Sequence, residues 1–458
     1  MSVFSFRNNI TEKKIFIFLI LAAILTEVFY LILAFNSEGK EGIPLYMFVY
    51  FEEFLIFFFS WLIIKRVSFN EKTDSEILKL FSKIISINSD EQFKLKLPLF
   101  IIVTGLLFRL TLFPSTPSTS DDVYRYVWEG KVVVNGFNPF TTPPNSNVLS
   151  SLQDSNYTKV TYKNIPAIYP PFSQLVFATA YILTEDNLLG LKLIYFICEF
   201  FTLIFLLKLL HLKKINLNRI ILYAWLPLPI MEYFVNVHLD PVGIMFLIIA
   251  VYFIEREKFA GASVFLALSF LSKLIGIFLL PLIFRKAGIN KSVLFIFIFS
   301  FVSIIFYLPF ADGSFSAFTA FSNYLSNWEF NGSIYNSFKA LFSNSETARM
   351  ICGIIFISLV VYISSTYKDF SKAGFYIFLC WAILSTTLFS WYLGWLAVLN
   401  PFVNFFSVMS LLFTINLTNF SPLGNEWREY GFVLAIEYVP FFLLLVYDFL
   451  FEARKIKD

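Results

Sequence analysis

The sequence predicts an all-α polytopic membrane protein, and three observations carry that expectation. Hydrophobic residues make up 58% of the 458-residue chain, and its mean hydropathy is +0.72, more apolar surface than a water-soluble core can hide. Charged residues are only 15% of the total. The apolar residues gather into runs close to the length, about 20 residues, at which a helix crosses a bilayer with its backbone hydrogen bonds satisfied internally.

In chain order the runs fall at about 15–35, 44–64, 97–114, 188–210, 219–236, 240–254, 292–310, 346–366, 373–389, 401–419 and 431–451. Arg7, Lys13 and Lys14 precede the first run, Glu27 interrupts it, and no small-residue cleavage site follows. It is therefore expected to stay as a first helix. Basic loops orient the rest: Lys65 to Lys96, Lys213 to Arg219, Arg256 and Lys258, Arg285 to Lys291, Lys368 and Lys372, and the C-terminal Arg454, Lys455 and Lys457. Placing them all in the cytoplasm gives a consistent alternation after two adjustments. The run from Tyr169 to Leu183 opens with Pro170-Pro171 and is short, so it is expected to lie at the outer surface. The run from Phe259 to Phe284 is basic at both ends with Lys273 in its middle. It is expected to form a hairpin turning near Lys273, with a similar short return at Trp391–Leu399.

The expected whole is one domain, 1–458, with about 11–13 transmembrane helices or half-helices. Residues 1–96 supply a hairpin and a basic cytoplasmic loop, 97–187 a span plus a large outer loop, and 188–458 the remaining bundle. Two large outer loops, about 115–167 and 311–346, converge with the short turns at Asn236–Asp240 and Ser390–Trp391. A net charge of +3 gives no case for nucleic acid. Cys198, Cys352 and Cys380 all sit in apolar runs, without disulfide or metal spacing. No internal repeat favours an inverted-repeat transporter.

Chemistry concentrates in Ser120-Asp121-Asp122-Val-Tyr124-Arg125-Tyr126-Val-Trp128-Glu129-Gly130. The spacing predicts an amphipathic interfacial helix ending at Asn135-Gly136. In one reading Asp121 and Asp122 cap that helix and Arg125 pairs with Asp121 at i,i+4. In the other, a carboxylate at the lipid–water boundary is a general base. Displacing a sugar from a phosphate carrier needs a base for the acceptor hydroxyl and cations for the departing phosphate, but no second carboxylate acting as acid.

The segment SDDVYRYVWEGKVVVNGFNPF, followed by IYPPFSQLVF, resembles the GT-C glycosyltransferases, and among them the bacterial polyprenol-phosphate-mannose-dependent (DUF2029-like) branches. Weaker matches follow in order: NVHLDPVGIMFL, ALSFLSKLIGIFLLPLIF and SWYLGWLAVL. The chain departs from the pattern by its hairpin at about 15–64, by Val237 where Gly is expected, and by Leu239 in place of Asn. The resemblance implies an integral protein of the bacterial cytoplasmic membrane, with its site facing the periplasm or exterior. It implies inverting transfer of a hexose, mannose by analogy, from a polyprenyl-phosphate donor to a glycan, lipid or protein acceptor. It names Asp121 as the base, with Asp122 the alternative, and implies no metal or other cofactor.

Supporting candidates carry competing readings. Arg125 is a phosphate fork or a helix-pair partner. Lys273 is the best distant phosphate ligand, since a lone amine in a membrane hairpin costs about 2.5–3.5 kcal/mol on insertion scales. His238 and Asp240 line the pocket or cap a turn. Tyr126, Trp391 and Tyr392 stack on substrate or anchor the interface. Glu27, Glu52, Glu53, Glu199, Glu232 and Glu437 lie in or near apolar runs and keep two rivals in view: a proton-coupled transporter and a lipid-linked sugar flippase. A polysaccharide polymerase or ligase fits less well, because the outer loops are poor in Arg.

Overall fold

The computed structural model describes residues 12–65, 76–87, 89–313, 316–423 and 427–457. Among them no β-strand forms, only an isolated bridge between Phe330 and Thr387. The order is α1 (Glu12–Asn36), α2 (Ile43–Ile64), α3 (Glu76–Ile85), α4 (Lys96–Thr111), α5 (Asp122–Val134), α6 (Pro171–Thr184), α7 (Leu189–Leu212), α8 (Ile221–Ala224), α9 (Pro227–Phe234), α10 (Asp240–Glu255) and α11 (Phe259–Ser272). There follow α12 (Leu280–Ala287), α13 (Ile289–Tyr307), α14 (Ser316–Asn327), α15 (Ile334–Phe342), α16 (Ser345–Thr366), α17 (Phe370–Leu384), α18 (Gly394–Ala397), α19 (Asn400–Val403), α20 (Phe406–Thr414) and α21 (Gly431–Lys457).

Seven described helical segments are long and apolar enough to cross a membrane, and with this family of elements the protein is an all-α polytopic membrane protein. The remaining expected spans are short or broken. Pro227 breaks the run at 219–236 into α8 and α9, because Pro cannot donate the next helical bond. The run at 259–284 is a hairpin, as its two basic ends require. α11 is 14 residues long, about 21 Å of helix, short of an apolar thickness near 30 Å. Lys273 then turns the chain in extended conformation, φ −155° and ψ 117°. Ser390–Leu393 and α18 form the second short return.

The helix α10 orders the molecule along its length. At its C-terminal end Glu255 accepts from Lys213 at 2.9 Å and from Lys286 at 2.8 Å, and Lys213 also reaches Asp369 at 2.8 Å. Three of the basic loops thus meet at one end of the bundle, where the alternation of loop charge places them together. At the other end of α10, Asp240 meets Lys273. α6 packs along α5 and α7 with Leu175, Ile182 and Leu183 left exposed, an apolar face suited to lipid.

One buried ion pair ties α4 to α7 inside the bundle. Arg109 donates to Glu199 at 2.7 and 3.0 Å and to the Gly105 and Ala224 carbonyls at 2.7 and 2.9 Å, while Tyr223 donates to Glu199 at 2.8 Å. Gly105 makes this approach possible: a Cβ there would stand 2.6 Å from the Ala224 oxygen.

Candidate active site

The approach to the Asp pair is clamped from three sides. Lys192 donates to the carbonyls of Leu112, Phe113 and Ser115 at 3.0, 3.1 and 2.7 Å, completing the end of α4. Asn236 accepts from the Ser118 and Thr119 amides at 3.2 and 3.1 Å. Ser37, in the turn between α1 and α2, donates to the Thr116 carbonyl at 2.9 Å, and Ser118 donates back to the Ser37 carbonyl. The N-terminal hairpin is therefore part of the scaffold that holds the site.

Asp121 occupies the N-cap position of α5 with φ −97°, yet its side chain makes no capping bond. Ser120 accepts the Asp122 amide instead, at 3.3 Å. Neither carboxylate accepts a hydrogen bond among the described residues, so the capping reading fails. The expected Arg125–Asp121 pair is also replaced. Arg125 donates to Glu129 at 2.6 Å and to the Tyr162 and Ile165 carbonyls at 3.1 and 2.6 Å. Glu129 in turn accepts from Gln174 at 2.7 Å. The guanidinium is committed to folding the loop back on α5, which leaves it no open fork for a phosphate. Tyr126 is equally occupied: it is buried, stacked on Phe177 at 4.7 Å, with its hydroxyl 3.2 Å from that of Tyr169.

The other candidates converge. Lys273 donates to Asp240 at 2.7 Å and stands 4.2 Å from the centre of the Tyr392 ring. Trp395 donates its indole N–H to the same Asp240 oxygen at 2.7 Å, while the second oxygen, Oδ2, is buried without a partner. Tyr392 and Tyr324 share a hydroxyl contact of 2.7 Å. His238 is fully buried, its Nδ1 4.0 Å from Asp122 and its Nε2 3.6 Å from Glu232. Neither ring nitrogen has a hydrogen-bond partner. Its ring lies 3.6 Å from that of Trp391, and Phe389 stacks on Trp391 at 4.5 Å. Two parallel rings at those distances must lie on opposite faces, so Trp391 offers no free face for a sugar; Tyr392 is held by its amine and hydroxyl contacts. Val237 adopts φ +60°, a left-handed conformation that a β-branched residue avoids. That is the physical meaning of the glycine expected there.

The Asp122 side chain keeps 37% of its surface open. Burial pushes its carboxyl up to about 6, opposed by the Lys273 charge and assisted by Asp121. Burial also raises Asp121, against Lys40 and Lys159. Burial, with Lys273 beside it, holds His238 well below its usual value, which keeps the ring neutral at pH 7. Among the described residues no group of three His, Cys, Asp or Glu side chains is placed to hold a metal.

Sequence reasoning missed Trp395 and Gly243. The bond from Trp395 to Asp240 joins positions 155 residues apart, beyond any local periodicity. Gly243 is what lets the indole in, since a Cβ there would stand 2.6 Å from Trp395 Cη2. Gly243→Ala should displace the indole from Asp240, destabilising the protein by about 1–3 kcal/mol through overpacking; thermal unfolding of the purified variant, with the tryptophan emission it displaces, checks this.

A family model described as alpha-(1->6)-mannopyranosyltransferase, N-terminal domain, matches residues 29–287. It takes in the Asp pair, the His238 turn and Lys273, and ends before the Trp391 segment. It also begins within α1, so most of the N-terminal hairpin lies inside the family's own span. No curated protein matches the chain. Extending over more than half of the sequence and over the residues just described, the match places this chain in the alpha-(1->6)-mannopyranosyltransferase family, polytopic glycosyltransferases of the GT-C class.

Proposed function

We propose that this glycosyltransferase moves a mannosyl residue from a polyprenyl-phosphate carrier to a hydroxyl of a glycan or lipid acceptor, with inversion, at the outer face of the membrane. The observation that carries the reading is a pair of carboxylates with no hydrogen bonds of their own, one of which, Asp122, lies within electrostatic range of the Lys273 ammonium. The base takes the proton of the acceptor hydroxyl as its oxygen attacks the anomeric carbon. The bond from that carbon to the phosphate oxygen breaks, and the carrier phosphate leaves toward the Lys273 ammonium. The family's described α-(1→6) linkage then requires a β-linked donor, because displacement inverts the anomeric centre. The exposed apolar face of α6 brings lipid beside this end of the bundle.

Asp121 is the base in this reading. The charges it feels are Lys40 and Lys159 rather than Lys273, and an inverting displacement keeps base and leaving group on opposite faces of the sugar. Asp122, whose carboxyl responds first to Lys273 among charges, lies on the side of the departing phosphate. Its rise to about 6 favours the rival assignment, in which Asp122 is the base. The carrier reading is weakened at three of its six acids: Arg109 donates to Glu199, Thr111 to Glu27, and Ser390 to Glu232.

Supplying the purified protein in lipid with a panel of polyprenyl-phosphate hexoses, and reading products by mass spectrometry, tests the proposal. A mannosylated acceptor is expected. Movement of the lipid-linked sugar across sealed vesicles without any new glycosidic bond would sink it. In the same assay kcat/KM should rise with pH through about 6, where Asp122 loses its proton. Below that pH the protonated carboxyl resembles Asp122→Asn, so activity should fall toward the level of that variant, which lacks the step at about 6 and keeps only the limb of the base Asp121.

A further inference from the structure

The basic end of the bundle carries a second candidate site. A cavity of about 750 Å³ opens between α3 with the Ser89–Leu95 turn on one side and the C-terminal ends of α7 and α10 on the other. Lys94, Lys208, His211, Lys214 and Arg256 line it, against one carboxylate among the described residues, that of Glu91. Glu91 is already paired with Lys94 at 2.5 Å. Lys208, Lys214 and Arg256 have no carboxylate within ion-pair distance among the described residues. Their neighbours at the same end, Lys213 and Lys286, do. An excess of cations on this face follows from membrane topology, but topology does not gather the unpaired ones around one cavity.

An apolar groove of about 410 Å³ adjoins it, between α7, α10 and α11. Ile194, Ile197, Phe201 and Phe205 form its wall on α7, and the same helical stripe continues into Lys208 and His211 of the cavity. On α10 the stripe of Met245, Ile249 and Phe253 continues into Arg256. The two spaces meet where Phe205 packs on Tyr252 at 5.4 Å, and the Lys208 amine lies over both rings, at 5.3 and 5.8 Å. Two adjacent helices therefore each pass from an apolar stripe to an unpaired cation at the same level.

We propose that this combined cavity and groove binds a phosphate-bearing lipid of the cytoplasmic leaflet, headgroup on Lys208 and Arg256 and one acyl chain along α7 and α10. It lies at the far end of α10 from the Asp pair and does not depend on the donor. The full-length protein, delipidated and returned to nanodiscs of mixed phosphatidylglycerol and phosphatidylcholine, should retain phosphatidylglycerol selectively by native mass spectrometry. Lys208→Ala with Arg256→Gln should lower that retention about 30-fold, from two headgroup-level charges. Lys291→Ala, a charge removed elsewhere on the same end, should leave it unchanged. Ile249→Trp, which fills the groove and spares every cation, should also lower retention. Equal retention by the double variant and wild type overturns the site. Displacement by millimolar inorganic phosphate, with no effect of Ile249→Trp, overturns the lipid assignment in favour of a free anion. Thermal unfolding of each variant separates these outcomes from misfolding.

Discussion

Asp121→Asn, purified and reconstituted in lipid, should lower kcat for sugar transfer by about 10²–10⁴-fold, the range a general base supplies. Its thermal unfolding should match wild type. The reason is local: the Asp121 carboxylate caps nothing and accepts no hydrogen bond, so an amide of the same shape costs the fold little, while the reaction loses its proton acceptor. Asp122→Asn is the necessary companion. With Asp121 as base, Asp122→Asn should cost less than Asp121→Asn and act through donor placement, because its charge sits beside Lys273. The reverse order of losses hands the base to Asp122. Full activity in both variants removes the mechanism altogether.

The second large effect is expected at Lys273. Lys273→Met removes the cation proposed to receive the departing phosphate, and it also strips the ion partner of Asp240, a side chain only 1% exposed. Breaking a buried pair on one side costs about 3–5 kcal/mol, because the remaining charge is uncompensated. Lys273→Met should therefore be both inactive and poorly folded, which alone would not separate chemistry from structure. The double variant Lys273→Met with Asp240→Asn does separate them. Neutralising the stranded carboxylate should recover most of the thermal stability, and transfer should stay lost. Recovery of transfer along with stability would reduce Lys273 to a structural residue. Lys273→Arg is a poor substitute in this test, since a planar fork does not fit a point-charge contact over the Tyr392 ring.

Much of this arrangement is legible along the chain because bilayers impose few alternatives. The hairpin at Lys273 follows from basic residues at both ends of one apolar run, and the turn falls at Lys273 itself. The unusual backbone at Val237 was marked by a glycine-shaped gap in the motif, and φ +60° explains it. Pairing was harder to read. Arg125 had two helical neighbours of opposite charge on its reach, Asp121 and Glu129, and spacing does not choose between them. The choice of Glu129 is made by Gln174 and by two loop carbonyls brought in from residues 162 and 165. Aromatic residues were harder still. Tyr126 and Trp391 have the composition of a sugar platform, but only packing shows that Phe177, Phe389 and His238 already cover them.

By itself the sequence determined the membrane class, the hairpin returns, the end of the bundle at which the polar turns gather, and the resemblance to a glycosyltransferase. Those follow from hydropathy, loop charge and short motifs, which act over a helix or a turn. Tertiary structure alone decided which charges are spent on the fold and which are left for chemistry. Arg125 is consumed by Glu129, and Asp240 is bound by Lys273 and Trp395, whereas the Asp pair stays without hydrogen bonds. The physical reason is that a buried charge must find a partner wherever the fold brings one, and helix packing sets that partner whether it lies 4 residues away, as Glu129 does from Arg125, or 155, as Trp395 does from Asp240.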